Sequence, residues 1–504
     1  MTGKGRITEP ALLALATLGS GLYALVLGQD ANFDQLNYHV YLGWSLLANR
    51  IDLDVAPAGL VGSYLNPAVQ AFHYLGLTLL PPRLFGFSLG AAHGLNAYLA
   101  YRLTRHVLKG IARERLLSAA AGLLAAVGPC AVSLLATTFG DNLLSILILA
   151  ALLLQLEVVA EPGRDPTRRL VAAGLLAGAA AGLKLTLGIY VIALLASAAA
   201  VAVHLRRARV AFVFALAAVA GGLISAGYWS YEVWRRFGNP VFPFLNNLFH
   251  SPFFKPVGLR DGRWALHTWT GLATTPVEMA LGSIGGLQEV ACRDLRYLVL
   301  LVATAGALAT ALWSRREPAS AAPAVKIVVV GWFTAYLAWA LVFHYYRYFA
   351  TGEFLAPVAI VALLRLIGDR PVRLAWPALA LLVVATTGTS SWGRMPWRDE
   401  PLRVSVPLRE PATVFVDSSG ISFALPFFPP GSRFVTLDYN GPAVDRLAAR
   451  VIESQTGPVF RLQLMGAPPV SRNRFGFVDD GPCEVFRSGG RGRLSLCRLR
   501  RVSP

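Results

Sequence analysis

Eleven apolar runs, each close to the ~20 residues that cross a bilayer as a helix, leave this 504-residue chain few ways to fold. They cover 9–28, 84–106, 115–136, 139–160, 170–186, 188–205, 210–234, 296–313, 325–343, 353–368 and 373–390. So many runs of this length need lipid or a packed bundle around them. The chain therefore reads as mainly α, a polytopic membrane protein with about eleven transmembrane helices. The composition agrees, with 55% hydrophobic residues and only 15% charged. The stretch from Ala172 to Gly188 is rich in Ala and Gly, which lets helices approach closely in lipid. No small-x-small cleavage site separates the first run from the acidic stretch after it, so that run reads as a retained helix.

The net charge is +18, but the Lys and Arg residues do not form a stripe interleaved with aromatics, and nucleic-acid binding is excluded on that ground. Many of them sit in the loops 1–6, 102–115, 161–169, 205–209, 314–326 and 368–373. With the N-terminus cytoplasmic and eleven spans, all six loops fall on the cytoplasmic side, as the positive-inside rule requires. That assignment needs 60–80 not to cross. Asn66-Pro67 and Pro81-Pro82 break this stretch, so it reads as re-entrant or interfacial.

Two domains follow: a transmembrane domain over 1–390 and an extracytoplasmic α/β domain over 391–504. Outside the membrane the first domain carries the loops 29–83 and 235–295 and the short loop 344–352. The long loop is too Pro-rich for a helix and too apolar to float free, as Gly238-Asn239-Pro240-Val241-Phe242-Pro243 illustrates. In the second domain, 413–417, 433–437, 459–464, 483–487 and 493–498 read as strands and 443–454 as a helix. Cys483 and Cys497 flank a hairpin and can pair in an oxidising compartment, whereas Cys130 and Cys292 read as inert. No internal repeat appears.

The candidate site residues gather on the outer side. Asp30 and Asp34 lie just beyond the first span, and Asp34, Asn37, Tyr38 and Tyr41 share one helical face by their spacing. A carboxylate partly removed from water gains proton affinity, which suits a general base. The bland alternative makes Asp30 a helix cap and Asp34 a solvated charge. Asp141, a second carboxylate, opens the fourth span, where it can also serve as a cap, and Lys184 lies near the outer end of the fifth. An intramembrane Lys needs a partner or a route to the surface, and a phosphate would supply the first. Arg347 sits in His344-Tyr345-Tyr346-Arg347-Tyr348, followed by Glu353; its fork suits phosphate oxygens, and its bland reading is an interfacial anchor. Tyr38, His39, Asn66, His73 and Tyr346 complete the expected lining. The histidines lack the spacing of a helical zinc site. A divalent cation, Mg or Mn, is compatible with Asp30, Asp34 or Asp141 as ligands.

At these residues the chain resembles the C-type glycosyltransferase superfamily of polytopic membrane enzymes, which includes protein O-mannosyltransferases and the aminoarabinose transferases of lipid A. Phe33-Asp34-Gln35-Leu36-Asn37-Tyr38 is similar to the family's Asp-Glu motif, with Gln35 where the family has Glu. Gly178 to Thr186, the motif Gly238 to Pro243 and Tyr346-Arg347-Tyr348 are similar to recurrent features of bacterial members. The resemblance covers 1–390 and implies a sugar donor linked to polyprenyl phosphate, located in the bacterial cytoplasmic membrane. It also implies that Asp34 deprotonates the acceptor hydroxyl, with Asp30 supporting it, and that transfer proceeds with inversion. Lys184 or Arg347 would hold the leaving phosphate. The acceptor (a glycan, a lipid or a protein) and the sugar are left open. Two other classes compete: a lipid or polysaccharide transporter, and a non-catalytic envelope assembly subunit. The transporter reading lacks an inverted repeat and a cluster of charges near the midplane.

Overall fold

The computed structural model describes residues 8–161, 163–259, 261–282, 289–313, 322–438, 440–454, 457–467, 473–490 and 492–502. The basic loop 1–6, residue 162 of loop 161–169 and residues 314–321 of loop 314–326 lie outside them, as do residues 260 and 283–288 of the long outer loop.

In chain order the helices are α1 (Glu9–Leu27), α2 (Val40–Leu47), α3 (Leu60–Ser63), α4 (Ala68–Leu79), α5 (Pro82–Val107), α6 (Glu114–Ala126), α7 (Pro129–Ser133), α8 (Asp141–Ala160), α9 (Thr167–Leu183), α10 (Gly188–Leu205), α11 (Arg209–Phe237), α12 (Asn246–Phe249), α13 (Gly271–Leu281), α14 (Arg296–Trp313), α15 (Pro323–Val342), α16 (Ala350–Ile367), α17 (Asp369–Thr386) and α18 (Pro442–Glu453). The strands are β1 (Gln29–Asp30), β2 (Arg394–Met395), β3 (Thr413–Val416), β4 (Arg433–Thr436), β5 (Val459–Leu464), β6 (Phe477–Asp479), β7 (Glu484–Ser488) and β8 (Gly492–Arg501).

Each of the eleven expected spans has a helix at its place, but among the described residues seven are long and apolar enough to cross a membrane. The reasons for the shortfall are local. α6 has 13 residues and α9 has 17. α5 is diluted by polar side chains such as His93 and Asn96. α17 opens with Asp369, Arg370 and Arg373. Seven such helices make the chain a multi-pass membrane protein. The stretch 60–80 holds only α3 and α4, separated at Asn66-Pro67.

The chain divides into two units, each packed chiefly within itself. The first comprises 1–27, 86–227 and 261–392 and is a helical bundle. Its centre is α16, whose residues from Ala350 to Leu364 are all buried. A helix that is apolar on every side belongs in the middle of a bundle, and α6, α8, α14, α15 and α17 pack around it. Small residues set the closest approach of α9 and α11: a Cβ added at Gly178 would lie 1.8 Å from the Ala218 carbonyl oxygen. The Ala/Gly stripe of the sequence thus becomes a helix contact in which backbone meets backbone.

The second unit comprises 28–85, 228–260 and 393–504. Its sheet runs β4-β3-β5-β8-β6, with β7 also paired to β8. β3 is parallel to β4 and β5, while β8 is antiparallel to β5, β6 and β7. The strand and helix positions fall within a residue of those expected, except that β8 runs three residues further and β6 comes in addition. The core of this unit mixes both ends of the chain. Leu36, Val40 and Tyr41 pack with Val414, Val416, Phe423, Phe434 and Leu494. Val55 extends the sheet edge as a parallel bridge to Val435. Among the described residues Cys483 and Cys497 form a disulfide, and Cys130 and Cys292 are buried thiols. Burial pushes the Cys292 thiol up to about 12, so it stays protonated and unreactive at neutral pH.

Candidate functional site

In the second unit, the acidic motif folds into a π-helical turn, Gln35–His39. Such wide turns are rare and often accompany functional sites. A chain of side-chain contacts starts the turn. Asn32 donates its amide to Asp30 at 2.7 and 2.8 Å, and its own oxygen accepts the Gln35 N–H at 2.8 Å. Asp30 therefore orients Asn32, which caps the turn in the manner of an N-cap residue. Sequence reasoning makes Asp30 itself the cap or a supporting acid and misses Asn32. The Asp-x-Asn-x-x-Gln spacing is the only signal for it. Within the turn Tyr38 donates its hydroxyl to Asp34 at 2.9 Å, so the four-residue spacing does bring the two together. The side chain of Asp34 is half-buried.

The other expected lining residues of this unit are structural in setting. Asn66 accepts the Ala68 N–H at 3.1 Å and starts α4. His39 is buried with its ring edge-on to Tyr38, and His73 is buried beside Gln70 at 3.0 Å. Neither imidazole lines open water.

In the first unit, three helix ends meet. Gly140 takes a left-handed conformation with φ +80°, and α8 then begins at Asp141. α9 stops at Leu183, and Lys184 is extended in the break before a 3-10 turn, Leu185–Leu187. Another 3-10 turn, Tyr346–Phe349, leads into α16 and carries Arg347. The Lys184 ammonium lies 2.6 Å from the Asp141 carboxylate and 3.0 Å from the Phe139 carbonyl oxygen. The ring of that same Phe139 lies under the Arg347 guanidinium, 4.3 Å from centroid to carbon. Tyr345, Tyr348 and Trp392 surround Arg347 at 5.3–5.4 Å. Lys184, Asp141 and Arg347 are separate candidates in the sequence, and the fold brings them to one residue. Asp141 is nearly buried at 3% exposure, while the Lys184 side chain keeps 22%. A carboxylate at the N-terminal end of α8 is also favoured by the helix dipole.

Glu353 and Tyr346, expected to line a cavity, are instead enclosed with Asp294 and Arg296, all at 0–1% exposure. The Arg296 guanidinium is 3.1 Å from Asp294 and 3.4 Å from Glu353. Tyr346 donates to Asp294 at 2.7 Å. The N–H groups of Cys130 and Ala131 donate to Glu353 at 3.2 and 2.8 Å. A Cβ at Gly128 would fall 2.6 Å from the same carboxylate, so only glycine fits there. Sequence reasoning misses Asp294 and Arg296. Their partners, Tyr346 in the 3-10 turn and Glu353 in α16, lie some fifty residues further along the chain.

Among the described residues, one group of His, Cys, Asp and Glu is close enough to hold a metal: Asp479, Cys483 and Cys497. Its two sulfurs are already joined to each other. Asp30, Asp34 and Asp141 belong to no such group.

No family model and no curated protein matches the sequence. Solved structures do match its backbone, and the likeness takes in the bundle and the small C-terminal sheet alike. The supporting structure is ArnT from Cupriavidus metallidurans bound to undecaprenyl phosphate, with a TM-score of 0.54 at 13% identity over 97% of each chain. An oligosaccharyltransferase of Archaeoglobus fulgidus in the apo form matches with a TM-score of 0.43 at 14% identity, over 91% of this chain and 70% of that one. AglB of the same organism, in complex with an inhibitory peptide and a dolichol-phosphate, gives 0.43 at 13%, over 90% and 69%.

Proposed function

We propose that the protein is a membrane glycosyltransferase that moves a sugar from a polyprenyl-phosphate donor to an acceptor hydroxyl on the extracytoplasmic side of the bacterial cytoplasmic membrane. The observation that carries this reading is the convergence of Lys184 and Arg347 on Phe139. Two cations held by helix ends suit a lipid-linked phosphate, and the fold likeness to a protein bound to undecaprenyl phosphate supports that ligand.

In the proposed reaction Asp34 takes the proton of the acceptor hydroxyl. The acceptor oxygen attacks the anomeric carbon from the face opposite the phosphate, and the bond from that carbon to the phosphate oxygen breaks. The phosphate leaves with the electron pair, so the sugar is transferred with inversion. The transition state resembles an oxocarbenium ion, which a carboxylate favours, and the growing phosphate charge is met by Lys184 and Arg347. The Tyr38 hydroxyl and the Asn32 cap hold the base in place. Placement outside the cytoplasm is supported by the basic loops and by the Cys483–Cys497 disulfide, a bond typical of oxidising compartments.

The test is a panel of undecaprenyl-phosphate sugars presented to purified protein in nanodiscs. Release of undecaprenyl phosphate from at least one donor, lost in Asp34→Asn, is expected. No release from any donor would sink the enzyme reading.

A further inference from the structure

The π-helical turn that bears Asp34 does not stand on its own segment. Leu36, Val40 and Tyr41 are built into the apolar core of the C-terminal strands, against Val414, Val416, Ile421 and Phe423. A Cβ at Gly490 would lie 2.5 Å from a Leu36 methyl, so the packing there admits no side chain. These apolar contacts hold the turn onto the sheet.

A polar contact also ties the turn to the loop after β3. The Asn37 side-chain oxygen accepts the Gly420 N–H at 2.9 Å. Gly420 has φ +76°, a left-handed conformation that glycine adopts without strain. The loop after β3 is thus shaped to aim an N–H at the turn. Two further ties fix the neighbouring backbone: Ser422 donates to the Pro57 carbonyl at 2.8 Å, and Asp54, paired with Arg50, accepts the Phe434 N–H at 3.1 Å. Asn37 is three residues from Asp34 and one from Tyr38, which donates to Asp34. In so short a turn, rotating Asn37 rotates the carboxylate with it.

We infer that Asn37 is a positioning residue and that the C-terminal domain, through the Gly420 loop, sets the pose of Asp34. This rests on the reading of Asp34 as the base. It gives the C-terminal domain a role in catalysis without requiring it to touch substrate.

The experiment has two arms, both on the full-length protein in nanodiscs. The first is hydrogen–deuterium exchange of peptides covering 33–41, which needs no substrate. Asn37→Ala should speed exchange there, and Asn37→Asp should restore protection because a carboxylate still accepts the Gly420 N–H. Equal exchange in wild type and Asn37→Ala overturns the inference. The second arm follows undecaprenyl phosphate release from whichever undecaprenyl-phosphate sugar the wild type accepts. Asn37→Ala should lower kcat by about tenfold to a hundredfold with donor KM unchanged, and should add nothing in the Asp34→Asn background. Asn37→Asp should recover most of kcat, with the rising limb of its pH profile moved upward by the added neighbouring charge. A fall in Asn37→Ala that persists fully in the Asp34→Asn background overturns the link to Asp34. If the wild type releases nothing, the function reading fails while the exchange arm still decides the contact.

Discussion

Asp34 and Glu353 are both carboxylates of the expected site, and the structure treats them in opposite ways. Asp34 is half-buried on a wide turn, with a Tyr hydroxyl on one oxygen. Glu353 is fully enclosed, and two backbone N–H groups, an Arg and a Tyr all point at it. A general base must exchange a proton with substrate, so it needs a reachable oxygen. A carboxylate surrounded by donors in a packed interior serves instead to neutralise a buried cation, here Arg296. The contrast teaches that an acid near a membrane boundary is not a site residue by type. Burial is what sets the two acids apart.

The comparison can be broken most directly by Asp34→Asn. Its transfer rate should fall by about 10²–10⁴, measured as undecaprenyl phosphate release, with an unchanged thermal midpoint. A near-normal rate would remove Asp34 from the base role. Glu353→Gln should do the reverse, destabilising the bundle by about 3–5 kcal/mol because Arg296 loses part of its charge balance. Thermal unfolding in detergent reads this, and a stable but inactive Glu353→Gln protein would erase the distinction between the two acids. Lys184→Met should weaken binding of undecaprenyl phosphate by about tenfold to a hundredfold, the value of a charge-assisted hydrogen bond; titration calorimetry in nanodiscs checks it. The smallest effect concerns Asp52. Arg236 holds its carboxyl below the ordinary range. Its contribution to stability is therefore full above the unfolded value of about 4 and is lost as pH falls through the lower folded value. At 64% exposure the contribution is small, and Asp52→Asn should slightly flatten the acid limb of a stability–pH curve.

Much of this is legible in the sequence because it is local. Helix positions follow from apolar runs, the strands from short alternating segments, and the Asp34–Tyr38 pair from a four-residue spacing. The Cys483–Cys497 bond follows from a hairpin. What escapes depends on distance along the chain. Arg296 and Glu353 are joined only once α14 and α16 pack, and nothing near either residue announces the other. Phe139 gathers Lys184 and Arg347, but as a lone aromatic it gives no sign of doing so. That seven helices among the described residues, and not eleven, are long and apolar enough to cross a membrane reflects helices such as α9, whose 17 residues read as a span only together with the break at Lys184.

The second unit also has a consequence for how the protein is made. It is assembled from three separated stretches, and β8, which pairs with β5, β6 and β7, is made after all three of those strands. Leu36 waits for Leu496, about 460 residues later, before its core is complete. At roughly 5–20 residues per second that is about half a minute to a minute and a half of synthesis. Until then the acidic turn has no fixed support. A nascent chain that stops short of β8 would therefore carry the acidic turn without the core it packs into.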